Sequence, residues 1–439
     1  MTWQEEYKRK LVSAEEAVEV ISSGDRVVIP AITDPLTLEM ALIARKEELR
    51  NVRVEIDLPT RELPWFEPGW EESFDVKVWY LHHQPIRHLF RENRGDMKVC
   101  PPSLFFKDAL EERSGSRRAD VVLLEISPPD EHGFCSFGPV LWAKKQHVQM
   151  AKIAIGEVHP EFIRTYGDNF IHVSEIDYFV EANYPPVTVW PPLEPEPHVR
   201  PIAEHLSCLI KNGDTIEMGA GRTSETLPFV GLFDNKYDLG WHTERIPRGC
   251  LKIMREREEM FTGKYKTLNQ GKAVATALAL TDGDAEYVHN NPLFELYSPD
   301  YIHNIRVLAA LDNLVAINNA LAVDLSGQIT AEALGPLTWS GAGGLVEFAI
   351  GSLVSRGGRS IFVLPATAKE GKVSRIVPML KQGTFVTVPR HLVDYVVTEY
   401  GIAKLLGKTQ RERAEELIGI AHPDFRTELR KEARRLYWP

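Results

Sequence analysis

The fold is indicated by residues 212–222, which read NGDTIEMGAGR. The Asn-Gly-Asp turn leads into residues 215–218, TIEM, in which apolar and polar residues alternate, and this segment predicts a β-strand. The glycine-rich residues 219–221 then predict a loop, and a helix is expected to begin near Ser224. A strand followed by a loop and a helix is the repeating unit of α/β proteins with parallel sheets.

The same order of elements occurs near the start of the chain. Residues 23–30, which read SGDRVVIP, again place a Gly-Asp turn before an apolar strand, and Asp34 and Pro35 predict the N-cap and first position of the following helix. A second pair of similar strand-and-turn segments lies at residues 121–138 and 322–335. Two such repeats in the same order favour two related open α/β domains with mainly parallel sheets.

The chain is long enough for two domains. It has 439 residues, which exceeds the size of one ordinary hydrophobic core. The proline-rich residues 184–197 form the expected linker, so we predict an N-terminal α/β domain at 1–190 and a C-terminal α/β domain at 191–439. The C-terminal domain carries the candidate nucleophile described below. A single large domain is the alternative.

Composition and charge argue against several classes of protein. The net charge is −11, and because an acidic protein repels phosphate backbones, no nucleic acid partner is expected. The most apolar long stretch, residues 307–323, is interrupted by polar residues such as Asp312 and Asn318, and therefore does not predict a membrane span. The polar start of the chain does not resemble a signal peptide. We expect a cytoplasmic protein that acts on small molecules and does not bind membranes.

The four cysteines are scattered along the chain and form no C-x-x-C pair. Reduced thiols are therefore expected. His132 and Cys135 are spaced as H-x-x-C, but a zinc site would need two further ligands. This pair predicts a turn, and the sequence predicts no metal site.

Three segments place glycine or lysine beside predicted strands, where open α/β sheets bind ligands. The loop 219–221 either presents backbone amides to an anion or is only a tight turn, and it lacks the third glycine of a dinucleotide site. Residues 340–344, SGAGG, either present amides to an oxyanion or give the next helix a flexible start. Lys369, after the apolar strand 361–364, is either a ligand for a phosphate or pantetheine group or a surface charge.

A candidate nucleophile lies in residues 239–245, which read LGWHTER. The carboxylate of Glu244 is able to attack an activated acyl group. His242 is either a general base or a structural hydrogen-bond donor. Taken alone, Glu244 would more often be a surface charge.

These segments occur in the same order along the chain as the matching segments of a known protein family. The chain resembles the acetyl-CoA hydrolase/transferase family over nearly its full length, especially the 4-hydroxybutyrate and butyrate:acetate CoA-transferases. The matching segments are residues 121–138, 219–221, 239–244, 261–272, 291–292, 317–318, 323–328, 340–344, 367–378, 396–401 and 421–426. The resemblance implies the CoA-transferase (NagB/RpiA-like) fold.

The resemblance also implies that Glu244 is a covalent nucleophile. In the family this glutamate attacks an acyl-CoA to give a mixed anhydride, and CoA then forms a glutamyl-CoA thioester that an incoming carboxylate, often acetate, opens. No metal and no tightly bound cofactor is implied, since CoA and acyl-CoA are substrates, and a homodimer or homotetramer is expected. The residues expected to contact CoA are Gly219, Ala220, Gly221, Arg222, Thr223, Asn318, Gly341, Gly343, Gly344 and Lys369.

Two cations beside Glu244 depart from the family pattern. The family usually has methionine, a small residue and aspartate after this glutamate, whereas residues 245–248 read RIPR. One hypothesis is that Arg245 or Arg248 pairs with the second carboxylate of a dicarboxylic acyl group. The alternative is that both arginines face solvent.

Three functions stay open at this stage. A CoA-transferase and an acyl-CoA hydrolase would use the same glutamate and differ only in the access of water. A non-catalytic acyl-CoA-binding protein would keep the glycine-rich loops without needing Glu244. The presence of Glu244 therefore favours an enzyme.

Overall fold

A computed structural model of the chain describes residues 2–30, 34–80, 86–92, 94–113, 118–185, 190–191 and 193–438. The chain divides into two compact units. The first contains Met1–Trp190 together with Thr276–Asp300, and the second contains Pro191–Ala275 and Tyr301–Pro439. Residues 276–300 thus belong to the first unit, although the division predicted from the sequence placed them in the C-terminal domain.

The described elements alternate between helices and strands along most of the chain. The helices are α1 (Trp3–Lys10), α2 (Ala14–Val18), α3 (Leu36–Ala44), α4 (Arg87–Arg91), α5 (Lys107–Leu110), α6 (Lys144–Met150), α7 (Val199–Ser207), α8 (Cys250–Glu256), α9 (Asp284–Val288), α10 (Pro299–Ile302), α11 (Ile305–Ala309), α12 (Leu345–Val354), α13 (Gln410–Gly419) and α14 (Pro423–Tyr437). The strands are β1 (Arg26–Ile29), β2 (Val52–Ile56), β3 (Phe74–Val78), β4 (Val121–Ile126), β5 (Phe134–Ser136), β6 (Ile153–Val158), β7 (Tyr166–Gly167), β8 (Phe170–His172), β9 (Tyr178–Glu181), β10 (Thr215–Met218), β11 (Gly240–Ile246), β12 (Ala273–Leu278), β13 (Phe294–Leu296), β14 (Leu314–Asn319), β15 (Ala322–Asp324), β16 (Ile329–Thr330), β17 (Ala333–Leu334), β18 (Leu337–Thr338), β19 (Arg359–Val363), β20 (Thr367–Ala368), β21 (Val373–Ser374), β22 (Ile376–Val377), β23 (Tyr395–Thr398) and β24 (Gly401–Lys404).

The main sheet of the first unit is parallel. Its strands lie in the order β3-β2-β1-β4-β6-β9, and every neighbouring pair is parallel. The strand β4 reads VVLLEI, and all of its residues are buried, as expected for a parallel strand covered on both faces. The core beside this sheet includes Ile29, Val54 and Leu123.

The second unit also contains a largely parallel sheet. Strands β24-β23-β19-β14-β10-β11 lie side by side in this order. The edge pair β23–β24 is antiparallel, and the other four pairs are parallel. Apolar residues such as Val323, Phe362 and Val396 form a core cluster in this unit. Two largely parallel sheets with helices confirm the predicted α/β class.

The repeated Gly-Asp turns have the same geometry in both units. Gly24 and Gly213 have φ angles of 83° and 81°, in the left-handed region where glycine is favoured. After each glycine, an aspartate carboxylate accepts a hydrogen bond from a backbone N–H three residues earlier, at 2.8 Å for Asp25 and 2.7 Å for Asp214. The strands β1 and β10 follow these turns, as the sequence predicts.

Two predicted helix starts differ from the structure. The segment Ser224–Val230 is a 3₁₀-helix that contains Pro228, because a proline has no N–H for an α-helical bond. The prediction that Asp34 caps the next helix is wrong. Its carboxylate accepts a hydrogen bond from the backbone N–H of Thr60 at 3.2 Å, and α3 begins without a side-chain cap.

None of the helices in the described residues is long and apolar enough to cross a bilayer. Residues 307–323, the most apolar long stretch, cover the end of α11, the strand β14 and the start of β15. The predicted turn at His132 is present, since Asp130 accepts a hydrogen bond from the His132 N–H at 2.9 Å.

Candidate active site around Glu244

The sheet of the second unit brings the predicted site residues to one edge. Thr215 pairs with Gly240 of β11 and with Leu314 of β14. Continuing both registers by four residues places Gly219, Glu244 and Asn318 at the same level, at the carboxyl ends of these strands. Open α/β sheets bind their ligands at this edge. The strand β11 ends at Ile246, so Glu244 lies within the strand, and a rigid element positions its side chain.

Two donors contact one oxygen of the Glu244 carboxylate. The Nε2 atom of His303 lies 2.9 Å from Oε2, and the backbone N–H of Gly344 donates to the same oxygen at 3.1 Å. Gly344 is the N-cap of α12, so the positive end of the helix dipole also points at the carboxylate. The side chain of Glu244 keeps 24% of its exposure, whereas the imidazole of His303 is fully buried.

Glu244 is held in its ionised form. Burial raises its pKa, but the hydrogen bond and charge of His303, the Gly344 amide and the charge of Arg245 together lower the pKa below its ordinary value. Glu244 is therefore a carboxylate at neutral pH. An ionised carboxylate that is only partly exposed meets the first requirement of a covalent nucleophile.

His242 is a structural donor. It is fully buried, and burial lowers the pKa of its imidazole to about 3, so the ring is neutral. Its Nε2 atom lies 3.0 Å from the carbonyl oxygen of Ile302, which a neutral ring satisfies as a donor. Ile302 immediately precedes His303, and the ring of His303 packs edge-on against Phe348 of α12. His242 therefore helps to hold the residue that contacts Glu244.

Gly344 is required by close approach. A Cβ atom at this position would lie 2.0 Å from Cδ2 of His303 and 3.2 Å from Oε2 of Glu244. We expect Gly344→Ala to displace the imidazole and to lower kcat by about 100-fold, because one of the groups that hold the reacting carboxylate is then misplaced. Steady-state kinetics together with circular dichroism would measure the loss of rate in a folded chain.

Gly419 provides the matched control. It lies in α13, and a Cβ atom added there would meet nothing within 4 Å. Gly419→Ala should leave kcat unchanged, and because Gly419 is the last residue of α13 it should stabilise the chain by less than the ~1 kcal/mol of a helix interior. Equal rates in Gly344→Ala and Gly419→Ala would contradict the role assigned to Gly344.

The loop 219–223 is fixed by β14. The amide of Gly219 donates to the Ile317 carbonyl at 2.9 Å, and Asn319 Nδ2 donates to the Ala220 carbonyl at 3.1 Å. A Cβ atom at Gly221 would lie 2.3 Å from Asn319 Nδ2. The glycines therefore permit close packing of the loop, and contact with CoA stays a prediction for Gly219, Ala220, Gly221, Arg222 and Thr223.

The other residues predicted to contact CoA are dispersed around this edge. Asn318 is buried and directs its Nδ2 atom to Glu217, 2.7 Å away. Gly341 and Gly343 precede α12, and Gly343 has a φ of 53°. Lys369 lies in the turn of the β20–β21 hairpin with a φ of 49°. Contacts of these residues with CoA also stay predictions.

Arg245 and Arg248 are buried, with exposures of 8% and 7%, so the alternative that both face solvent is wrong. Both pair with Glu225. Arg248 Nε lies 2.9 Å from Glu225 Oε2, and Arg245 Nη2 bonds to the other carboxylate oxygen. The amide of Gly221 also donates to Glu225, at 3.3 Å. Through these contacts Glu225 connects β11 to the glycine-rich loop.

Sequence reasoning missed three residues of this site: His303, Glu217 and Glu225. His303 lies 59 residues after Glu244 and follows the short helix α10, and no spacing rule connects the two positions. Glu217 lies in a predicted strand and Glu225 next to a predicted helix start, and neither position carries a signal of its own in the sequence. The need for an anion at Glu225 follows only from the burial of Arg245 and Arg248 in the fold.

The geometry is that of an α/β protein with an ionised carboxylate held at the carboxyl edge of a largely parallel sheet. Comparison with known families identifies it further. The model of the acetyl-CoA hydrolase/transferase N-terminal domain matches residues 1–191, and that of the C-terminal domain of the same family matches residues 285–433.

Relatives match along the whole chain. The chain is 38% identical to the 4-hydroxybutyrate coenzyme A transferase of Clostridium kluyveri over 100% of both chains. It is 32% identical to the butyryl-CoA:acetate CoA-transferase of Anaerostipes caccae, over 99% of this chain and 98% of the relative. The chain belongs to the acetyl-CoA hydrolase/transferase family and is a CoA-transferase, which confirms the resemblance seen in the sequence.

Solved structures support the same fold. RipA from Yersinia pestis is 28% identical, with a TM-score of 0.91 over 100% of both chains. The 4-hydroxybutyrate CoA-transferase of Porphyromonas gingivalis is 33% identical, with a TM-score of 0.80 over 99% of this chain and 100% of that one. The fold is therefore that of the CoA-transferases.

Proposed function

We propose that the enzyme moves CoA between an acyl-CoA and a free carboxylate through a glutamyl-CoA thioester on Glu244. The observation that carries the proposal is the position of this ionised carboxylate, held by His303 and the Gly344 amide at the carboxyl edge of the sheet. No metal is needed for this chemistry. The acyl group and the acceptor acid follow from the relatives only as candidates: butyrate, 4-hydroxybutyrate and acetate.

The first half of the reaction forms the thioester. A carboxylate oxygen of Glu244 attacks the carbonyl carbon of the acyl-CoA, the C–S bond breaks and CoA thiolate leaves, which gives a mixed anhydride. The thiolate then attacks the carbonyl carbon of Glu244. The C–O bond to the acyl group breaks, the acyl group leaves as a carboxylate, and Glu244 carries CoA as a thioester.

The second half runs in reverse with a new acid. The incoming carboxylate attacks the glutamyl thioester, thiolate leaves, and a second mixed anhydride forms. The thiolate then attacks the acyl carbonyl carbon, which releases the new acyl-CoA and restores the carboxylate of Glu244. Thioesters and anhydrides have high group-transfer potential, so the site must exclude water to avoid hydrolysis.

The contacts of Glu244 suit this sequence of steps. The oxygen that accepts from Gly344 and His303 is Oε2, and we assign the attack on the acyl carbon to the other oxygen, Oε1. Oε2 then becomes the carbonyl oxygen of the anhydride and carries negative charge each time a nucleophile adds to the glutamyl carbon. Donors already aimed at that oxygen stabilise the charge without reorganisation.

Residues for binding CoA are proposed from the family pattern. Backbone groups of the loop 219–223 and of residues 341–344, with Asn318 and Lys369, would bind CoA as a substrate. The pairing of both arginines with Glu225 favours a role in fixing the loop, and contact with a dicarboxylic acyl group stays a prediction. Assembly as a homodimer or homotetramer also stays a prediction from the family.

Trapping of the covalent intermediate tests the proposal. The enzyme would be incubated with acetyl-CoA or butyryl-CoA without acceptor acid, treated with hydroxylamine, digested and analysed by mass spectrometry. We expect a hydroxamate on the peptide that contains Glu244, while the exposed Glu256 serves as the internal unmodified control. Absence of any adduct at Glu244 would remove the covalent mechanism.

A second sample of the enzyme, incubated with acyl-CoA but not treated with hydroxylamine, separates transfer from hydrolysis. After excess acyl-CoA is removed, this enzyme, which carries CoA on Glu244, would receive acetate, propionate, butyrate or succinate, or buffer alone. A transferase forms a new acyl-CoA with a carboxylate much faster than it releases free CoA in buffer. Release at equal rates in buffer and with every acid would assign acyl-CoA hydrolysis instead.

A further inference from the structure

A second carboxyl group lies beside the nucleophile. Glu217 is on β10, and continuing its register with β11 places it opposite His242, two residues before Glu244. Side chains two residues apart on a strand share a face, so Glu217 and Glu244 lie on the same face of neighbouring strands. Glu217 is only 1% exposed. Its Oε2 accepts a hydrogen bond from Asn318 Nδ2 at 2.7 Å.

The hydrogen-bond donor to Glu217 is the neutral side chain of Asn318. Among the described residues, no cation forms an ion pair with Glu217. His242 opposite is neutral and donates to a backbone carbonyl. Glu244 is the charged group that acts on Glu217. His242, Glu244 and Arg245 lie on β11, which pairs with β10. Further titratable side chains of this site region are Glu225 on the 3₁₀-helix, Glu347 on α12, Lys266, which contacts Trp241 of β11, and His303, which contacts Glu244.

The nearby cationic side chains bond to groups other than Glu217. Lys266 Nζ donates to the carbonyl of Trp241 at 2.7 Å. Arg245 bonds to Glu225, and His303 bonds to Glu244. An ionised Glu217 would therefore be a buried charge next to a second carboxylate, which is costly.

We infer that Glu217 is an uncharged carboxylic acid in the working enzyme, and that its neutrality allows the acceptor carboxylate to enter the site. The inference rests on the proposed role of Glu244 as nucleophile. Burial and the repulsion of Glu244 raise the pKa of Glu217 well above its ordinary value, in agreement with the geometry. Glu217 is thus a positioning residue that acts through the charge balance of the site.

The second half-reaction is where this neutrality matters. Once Glu244 carries CoA as a thioester, its negative charge is gone, and the incoming acid must bring a negative charge into the site. An ionised Glu217 would repel that acid. Loss of the Glu244 charge also removes the repulsion that raises the pKa of Glu217, so Glu217 loses its proton most easily in this state. Alkaline conditions should therefore weaken use of the acceptor acid.

The test compares the wild type with Glu217→Gln, which keeps the shape and the acceptor for Asn318 but has no proton to lose. At pH 7 the variant should keep kcat within about threefold of the wild type. Above the pKa of Glu217, kcat/KM of the wild type for the carboxylate should fall about tenfold per pH unit, mainly through KM. The E217Q variant should not show this fall.

Asp394→Asn is the control, since Asp394 is buried in the same unit and burial raises its pKa to about 6, below the alkaline range. This variant should keep the alkaline fall of the wild type. An alkaline fall that persists in E217Q, or a loss of more than about tenfold at pH 7 in folded E217Q, would overturn the inference. If E217Q does not fold, the inference is tested on the wild type by infrared difference spectra between neutral and alkaline pH. The band of the protonated carboxyl group must then disappear over the same pH range in which KM for the carboxylate rises, and a band that persists would overturn the inference.

The outcomes also separate this inference from the proposed function. A hydroxylamine adduct at Glu244 in both wild type and E217Q, with identical alkaline profiles, would refute only the role of Glu217. The absence of an adduct in the wild type would refute the proposed function itself.

Discussion

Glu244→Ala is expected to lower kcat for CoA transfer by about 10⁴-fold or more while the chain stays folded. The proposed mechanism uses this carboxylate in both half-reactions, so no partial reaction survives its removal. The neighbouring groups are unsuited to replace it, since His242 is buried and bonded to the Ile302 carbonyl and His303 is fully buried. Chromatographic assay of acyl-CoA products with two acceptor acids would measure the loss.

The control for this variant is Glu256→Ala. Glu256 ends α8, its side chain is 57% exposed, and it lies 3.9 Å from Lys252 in a surface ion pair. Such pairs contribute little to stability, so activity should be unchanged. Calorimetry should also show that Glu244→Ala binds CoA, because the loop 219–223 is untouched. Retention of more than about a tenth of the wild-type rate by Glu244→Ala would place the nucleophile elsewhere.

The parts of the structure that the sequence predicts correctly have local causes. The Gly-Asp turns at Gly24 and Gly213 need a left-handed backbone, and glycine is the residue that adopts it without strain. The strand that carries Glu244 follows from its apolar start, and α12 follows the run of glycines. Each of these features depends on a few adjacent residues, which makes it visible in the sequence.

The parts that sequence reasoning misses depend on tertiary contacts. His303 reaches Glu244 across 59 residues, and nothing in its own segment marks it as a partner. Glu217 has the appearance of an ordinary polar residue in a strand, and its burial becomes evident only when β11 and β14 lie on its two sides. The face of a central parallel strand is set by the strands and helices around it, and a single sequence does not show them.

The two arginines illustrate the same limit. A cation next to a nucleophile suggests recognition of an anionic substrate, and this hypothesis came from the sequence alone. The structure adds Glu225, which lies 20 residues before Arg245 and 23 before Arg248 and bonds to both. The pair therefore has a structural role, since Glu225 holds both guanidinium groups, and the charge of Arg245 also lowers the pKa of Glu244.

His303→Ala is expected to lower kcat/KM by about 100-fold to 1,000-fold at neutral pH and to move the acid limit of activity to higher pH. His303 donates to the oxygen of Glu244 on which charge develops, so its removal takes away one of the donors that stabilise each tetrahedral intermediate. It also takes away the main group that lowers the pKa of Glu244 against the effect of burial, which raises this pKa. With that group absent, burial raises the pKa of Glu244, and the carboxylate is lost at a higher pH as the solution is acidified.

The pH profile separates these two effects. His303→Gln keeps a neutral N–H donor near the same place, so its rate should lie between those of the wild type and His303→Ala, and its acid limit should also lie between theirs. His391→Ala is the control, because His391 is exposed on the 3₁₀-helix Arg390–Leu392 and should change neither rate nor profile. If His303→Ala lost rate but kept the acid limit of the wild type, His303 would act on the substrate, and the ionisation of Glu244 would have to be attributed to Gly344 and Arg245.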